Sequence, residues 1–173
     1  LYGAAAEDNF GESVNINADG SVIVIGAPKN NNGGTWAGET SVYYWNGTDW
    51  TLKGSPIDGI TYDWSGCDVD IDSTGNTIII GAWGGNNGTG MAKVYEWNNT
   101  QWTIKGDSIN GLAASHNFGQ SVSISANGNS ILIGAPKANT YHGYASCYDW
   151  VGGAWSQKGQ TLSGMNNNES FSL

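Results

Sequence analysis

The densest charged feature of the sequence is a run of aspartates at every second position, Asp68, Asp70 and Asp72. Alternate residues of a strand share a face, so these carboxylates repel one another unless water solvates them or a cation binds. A solvated outward face is the simpler expectation, and calcium is the second. Two cysteines, Cys67 and Cys147, are too few for a disulfide framework and are not spaced as a metal site. Cys147 takes a position held by Val42 and Val94 in the other repeats, which favours a small buried hydrophobe; a bridge to Cys67 is the alternative. His116 and His142 have no Cys, His or acidic neighbour at ligand spacing and read as lone surface histidines. Catalysis needs a nucleophile with its base, paired carboxylates in a pocket, or a metal cluster. None is visible, so the chain is expected to be non-enzymatic and without a cofactor.

Nine tryptophans offer a different chemistry, since sugars stack on exposed aromatic rings. Six of them, Trp45, Trp50, Trp97, Trp102, Trp150 and Trp155, recur at matched positions, which favours packing. Trp36, Trp64 and Trp83 break the pattern and are the candidates for a specific ligand contact. Four Asn-X-Ser/Thr triplets, at Asn46, Asn87, Asn98 and Asn168, could accept N-linked glycans if the source has that pathway. Asn46 and Asn98 occupy the same turn in successive repeats, and Asn87 sits in an exposed loop.

These residues are carried on a unit written three times. Phe10-Gly11 leads through Asp19-Gly20 to Gly26-Ala27-Pro28; Ser65-Gly66 leads through Thr74-Gly75 to Gly81-Ala82-Trp83; Phe118-Gly119 leads through Asn127-Gly128 to Gly134-Ala135-Pro136. Gly26, Gly81 and Gly134 set periods of 55 and then 53 residues. Val14 and Ile16 alternate with polar residues as in a one-faced strand, and Asp19-Gly20 reads as a two-residue hairpin turn. Val22 to Ile25 is apolar throughout and reads as a strand buried on both faces, ended by Pro28. A polar loop, a third strand, the turn Asn46 to Asp49 and a fourth strand starting at Trp50 complete the unit. Four strands in about 50 residues describe a propeller blade. The expected fold is therefore all-β: three four-stranded antiparallel propeller-like blades of about 53 residues. They form one repeat domain over residues 1–173, with a connector at 1–9 and blades at 10–56, 65–108 and 118–161. A terminal segment, 162–173, resembles the start of a further repeat.

The paired Phe-Gly and Gly-Ala-Pro motifs resemble the FG-GAP repeat of integrin-α-type propellers and their surface relatives. The resemblance implies an extracellular or cell-surface setting and a role in adhesion or assembly. It also implies a calcium loop between the first two strands of a blade. The matching positions are Asn15, Asn17, Asp19 and Ile23, then Asp70, Asp72, Thr74 and Ile78, then Ser123, Ser125, Asn127 and Ile131. The closing position is isoleucine each time, which supplies no oxygen to a hard cation.

Composition narrows the partners. A net charge of −9 with six lysines, no arginine and no basic stripe repels a phosphate backbone, so nucleic acid is not expected. No apolar run approaches the roughly 20 residues that span a bilayer, so membrane insertion is not expected. The chain opens at Leu1 without a charged-then-apolar leader, which reads as a processed chain or a segment of a longer one. Single-chain propellers carry about four to eight blades, because each blade is covered by its neighbours. Three blades leave two apolar faces bare. The sequence therefore points to a structural repeat protein whose copies associate head to tail, as a glycosylated filament or surface assembly. The alternative is an adhesion module that binds a carbohydrate or a surface protein through its loops.

Overall fold

A computed structural model describes residues 1–164, and it contains three antiparallel sheets in succession. The first holds β1 (Ser13–Ile16), β2 (Val22–Ala27), β3 (Glu39–Trp45), β4 (Trp50–Leu52) and β5 (Ile57–Asp58). The second holds β6 (Val69–Ile71), β7 (Thr77–Ala82), β8 (Met91–Trp97), β9 (Trp102–Ile104) and β10 (Ile109–Asn110). The third holds β11 (Ser121–Ile124), β12 (Ser130–Ala135), β13 (Tyr144–Val151), β14 (Ala154–Gln157) and β15 (Leu162–Ser163). Each sheet is the expected four-stranded meander with one addition. The short β5, β10 and β15 lie beside the first residues of β3, β8 and β13, so the link leaving a blade first adds a strand to it. Two residues give too little pattern to be read in advance.

The local chemistry follows the repeat. β2, β7 and β12 are the apolar central strands, and prolines follow β2 and β12 directly. The link between β1 and β2 takes five residues, Asn17 to Ser21, rather than the two expected. Gly20 N donates to Asn17 O at 3.1 Å, while the Asn17 side chain accepts from Val22 N at 2.9 Å. Asp72 and Ser125 do the same at Thr77 N and Ser130 N, so a polar cap replaces the tighter turn in every blade. Between β7 and β8, and again between β12 and β13, the chain makes a single left-handed turn, with Asn86 and Asn87 at φ 49° and 57° and Asn139 and Thr140 at 50° and 57°.

The blades stack on their apolar faces. Val22, Val24 and Val42 of the first pack against Val69, Ile71, Ile78 and Ile80 of the second. Ile79, Ala92 and Val94 of the second pack against Val122, Ile124, Ile131 and Ile133 of the third. The repeat's signature glycines set the spacing between sheets. A Cβ on Gly26 would lie 2.0 Å from the carbonyl oxygen of Gly66, and one on Gly81 would lie 2.1 Å from that of Gly119. The Gly-Ala glycine of the first and second blades thus meets the glycine that opens the following unit, Gly66 and Gly119, backbone against backbone. No side chain fits between them.

Candidate functional site

Beyond apolar packing, each joint between blades carries a latch. Lys53, just after β4, extends Nζ to the turn of the second blade, donating to Gly75 O at 2.6 Å and to Asn76 Oδ1 at 2.7 Å. The same ammonium lies 5.5 Å from the ring centroids of Trp97 and of Trp102, within cation–π range. Trp102 Nε1 returns a hydrogen bond to Lys53 O at 2.7 Å. The second joint repeats the set. Lys105 Nζ donates to Gly128 O at 2.9 Å and sits 5.3 Å and 5.6 Å from the Trp150 and Trp155 rings, and Trp155 Nε1 donates to Lys105 O at 2.8 Å. Desolvation lowers the pKa of both lysines and outweighs the nearby carboxylates, which raise it. The indole pairs are cross-strand neighbours flanking each hairpin, with Trp45 and Trp50 5.5 Å apart, Trp97 and Trp102 5.4 Å, and Trp150 and Trp155 5.1 Å. Trp97, Trp102, Trp150 and Trp155 are therefore packed at the joints between blades, while among the described residues Trp45 and Trp50 pair only with each other.

The aspartate run corrects both of its expectations. Asp68 Oδ1 accepts from Ser13 Oγ of the first blade at 3.0 Å, and its Oδ2 from Val122 N of the third at 2.7 Å. Asp70 Oδ1 accepts from Asn15 Nδ2 at 2.6 Å, and its Oδ2 from Ser123 Oγ at 3.0 Å and Ile124 N at 2.7 Å. These carboxylates clasp all three innermost strands, β1, β6 and β11, rather than facing solvent. Asp72 is buried and caps its own turn, accepting from Thr74 Oγ1, Asn76 N and Thr77 N. Among the described residues no three His, Cys, Asp or Glu side chains converge as a metal site, and these carboxylates already hold protein donors. Burial raises the Asp68 pKa from its ordinary value despite its hydrogen bonds.

The cysteines are both free, which corrects the bridge. Cys67 contributes to the joint between the second and third blades, its Sγ donating to Gly119 O at 3.3 Å, and burial pushes its thiol up to about 12. Cys147 pairs with Leu132 on the far face of the third sheet and is half-buried. His116 is half-buried and packs edge-on against Tyr144 at 5.9 Å, so it is not the surface histidine expected. His142 is also half-buried.

Trp36, Trp64 and Trp83, singled out because they break the repeat, form one continuous stack. Trp36 lies 5.1 Å from Trp64, which lies 4.9 Å from Trp83, and Tyr62 adds an edge contact to Trp36 at 5.9 Å. Three of the four are in the left-handed region, Trp36 at φ 48°, Tyr62 at 65° and Trp64 at 55°, a costly conformation for bulky side chains. Trp36 and Tyr62 keep 45% and 55% of their surface exposed. An open groove of about 550 Å³ runs alongside, lined by Thr61, Tyr62, Asn86 and Asn87 among others.

Of the glycan acceptors, Asn46 and Asn98 are exposed and their Oδ1 atoms cap the hairpin turns, accepting from Thr48 N and Thr100 N at 2.9 Å and 3.0 Å. Asn87 is exposed on its left-handed turn, and Asn168 lies outside the described residues.

The lysine latch was the feature sequence reading missed. Its signal was present, since three of the six lysines fall at one repeat position, each followed by glycine: Lys53-Gly54, Lys105-Gly106 and Lys158-Gly159.

Stacked antiparallel blades with glycine contacts between them define a β-propeller-type module. Residues 2–43 match the family model of the FG-GAP repeat. Three solved structures share the fold. One, from Bacteroides uniformis, is assigned as a 6-phosphogluconolactonase; it matches with a TM-score of 0.58 at 8% identity, over 87% of this chain and 40% of that one. A second protein of that assignment, from Bacteroides fragilis, matches with a TM-score of 0.54 at 13% identity, over 87% of this chain and 38% of that one. TolB from Acinetobacter baumannii matches with a TM-score of 0.50 at 14% identity, over 87% and 32%. The chain thus spans two fifths or less of each, and these identities show the fold alone. No curated protein matches the sequence. Among the described residues no helix is long and apolar enough to cross a membrane.

Proposed function

We propose that this chain is a structural, non-enzymatic module of an extracellular or surface assembly, whose copies join end to end through their outer blade faces. The carrying observation is that those faces match the halves of the internal joints. On the first blade Val14 and Ile16 are 63% and 54% exposed, whereas their counterparts Val69 and Ile71 are 2% and 6% exposed under the preceding blade. On the third blade Leu132 and Cys147 are half-exposed, whereas their counterparts Val24, Ile79, Val42 and Val94 are buried. One face thus resembles the receiving side of a joint and the other the delivering side. Such a head-to-tail contact is heterologous; it closes a ring if the rotation permits and otherwise runs on as a filament. An open series is the reading adopted, with N-linked glycans on the exposed hairpin turns. Light scattering over a concentration series tests it, with mass expected to rise well beyond the 18.2 kDa of one copy.

The aromatic stack supports a second reading, an adhesion module that binds a neutral carbohydrate. Strained backbone held at an exposed ring cluster is a mark of ligand sites, and the amide-rich groove beside it supplies hydrogen-bond partners. On this reading Trp36→Ala abolishes retention on a glycan array and leaves assembly unchanged. Equal retention by both proteins counts against it.

A further inference from the structure

The end-to-end reading leaves open which contact selects a second copy over any other apolar surface. Lys158 occupies the position of Lys53 and Lys105. All three backbone amides make the same bond, Lys53 N to Val42 O, Lys105 N to Val94 O and Lys158 N to Cys147 O, each at 2.8 Å. Among the described residues Lys53 and Lys105 each enter a following blade; the Lys158 side chain is instead 61% exposed and paired with Asp149 at 3.0 Å. An exposed ion pair of this kind is worth little and opens at small cost. The complementary half is equally unmatched. Trp45 and Trp50 form the same cross-strand pair as Trp97 with Trp102 and Trp150 with Trp155, yet no lysine lies over them among the described residues, and Trp45 is 45% exposed. The turn beside them ends in Gly20-Ser21, where the other blades have Gly75-Asn76 and Gly128-Asn129.

We propose that Lys158 of one copy latches onto the first blade of the next, its ammonium lodged over Trp45 and Trp50 and donating to the Gly20 carbonyl and Ser21 hydroxyl. Trp50 Nε1 returns a bond to the Lys158 carbonyl, as Trp102 and Trp155 do within the chain. The occupant of both end faces is thus a second copy, recognised by a cation and an indole pair rather than by apolar area alone. The inference rests on the end-to-end reading and adds its specificity. It also buries Cys147, which sits on the delivering face, whereas Cys67 is already inert because its thiol stays protonated.

The test compares the full chain with Lys158→Met, which keeps the aliphatic stem, and with Lys29→Met, which removes the same charge from a rim loop. Association is read by light scattering and burial of the joint by iodoacetamide labelling of Cys147. The expected result is that Lys158→Met associates at least about tenfold more weakly and exposes Cys147 to labelling, while Lys29→Met behaves as the parent. If the parent assembles and Lys158→Met assembles as well as it does, or Lys29→Met loses as much, the latch is overturned and end-to-end assembly stands. If the parent stays a single copy with Cys147 open to reagent, both are overturned.

Discussion

Gly81→Ala is expected to destabilise the chain by about 3 kcal/mol, the upper end of overpacking costs. The added methyl would lie 2.1 Å from the Gly119 carbonyl oxygen and 3.3 Å from Val122 Cγ1. Neither backbone can yield cheaply. Gly81 N donates to Asp68 O and Gly81 O accepts from Gly66 N, both at 2.9 Å, while Gly119 N is tied to Gly134 O at the same distance. To admit the methyl, the second and third blades must part, which uncovers the packing of Ile79 and Val94 against Ile131 and Ile133. Gly47→Ala is the comparison: nothing lies within 4 Å of its added carbon, but its φ is 100°, so only conformational strain remains, roughly 1 kcal/mol. Equilibrium urea unfolding measures both. A cost for Gly81→Ala no greater than that for Gly47→Ala would mean that the glycine contact does not set the blade spacing.

Asp70→Ala is expected to cost a similar amount, about 3 kcal/mol, because hydrogen bonds to a charged group contribute roughly 1.5 to 3 kcal/mol each and water recovers part of the loss. The substitution deprives Asn15 Nδ2, Ser123 Oγ and Ile124 N of their acceptor, in two different blades. An opposing effect is relief of repulsion with Asp68, which is the smallest of the influences acting on that residue's pKa. The lost acceptors therefore outweigh the relief. Asp70→Asn keeps one oxygen and places an amide donor against either Asn15 or Ile124, so it falls between the parent and Asp70→Ala. Faster amide exchange at Ile124 accompanies the loss. A change within about 0.5 kcal/mol, the scale of an ordinary surface substitution, would show that the clasp contributes nothing to holding the blades.

Much of this architecture could be read from residue order, and the reasons it could are specific. Gly26, Gly81 and Gly134 mark the period, and at Gly26 and Gly81 the close approach to the next blade's backbone admits no other residue. The hairpin tryptophans announce themselves because cross-strand pairs flank a turn of constant length. Trp36, Trp64 and Trp83 stand out because they depart from the repeat, and the fold stacks them. Other features were hidden for equally physical reasons. Alternation of Asp68 and Asp70 gives the strand face but not its neighbours, and near the common centre of three sheets that face meets β1 and β11 rather than water. The left-handed turns at Asn86 and Asn139 depend on backbone torsions that composition barely constrains. Lys158 makes its own argument: its role shows only when Lys53 and Lys105 are seen in place across a joint, with the next Gly-Asn turn within reach.

The central claim is that the two outer faces are halves of one joint. The most direct measurement is the mass of the full chain by light scattering across a concentration series at physiological salt. The mass is expected to climb with concentration through successive multiples of 18.2 kDa. A mass fixed at one copy throughout would contradict the joint, and a plateau at two copies would contradict the open series by closing it into a ring.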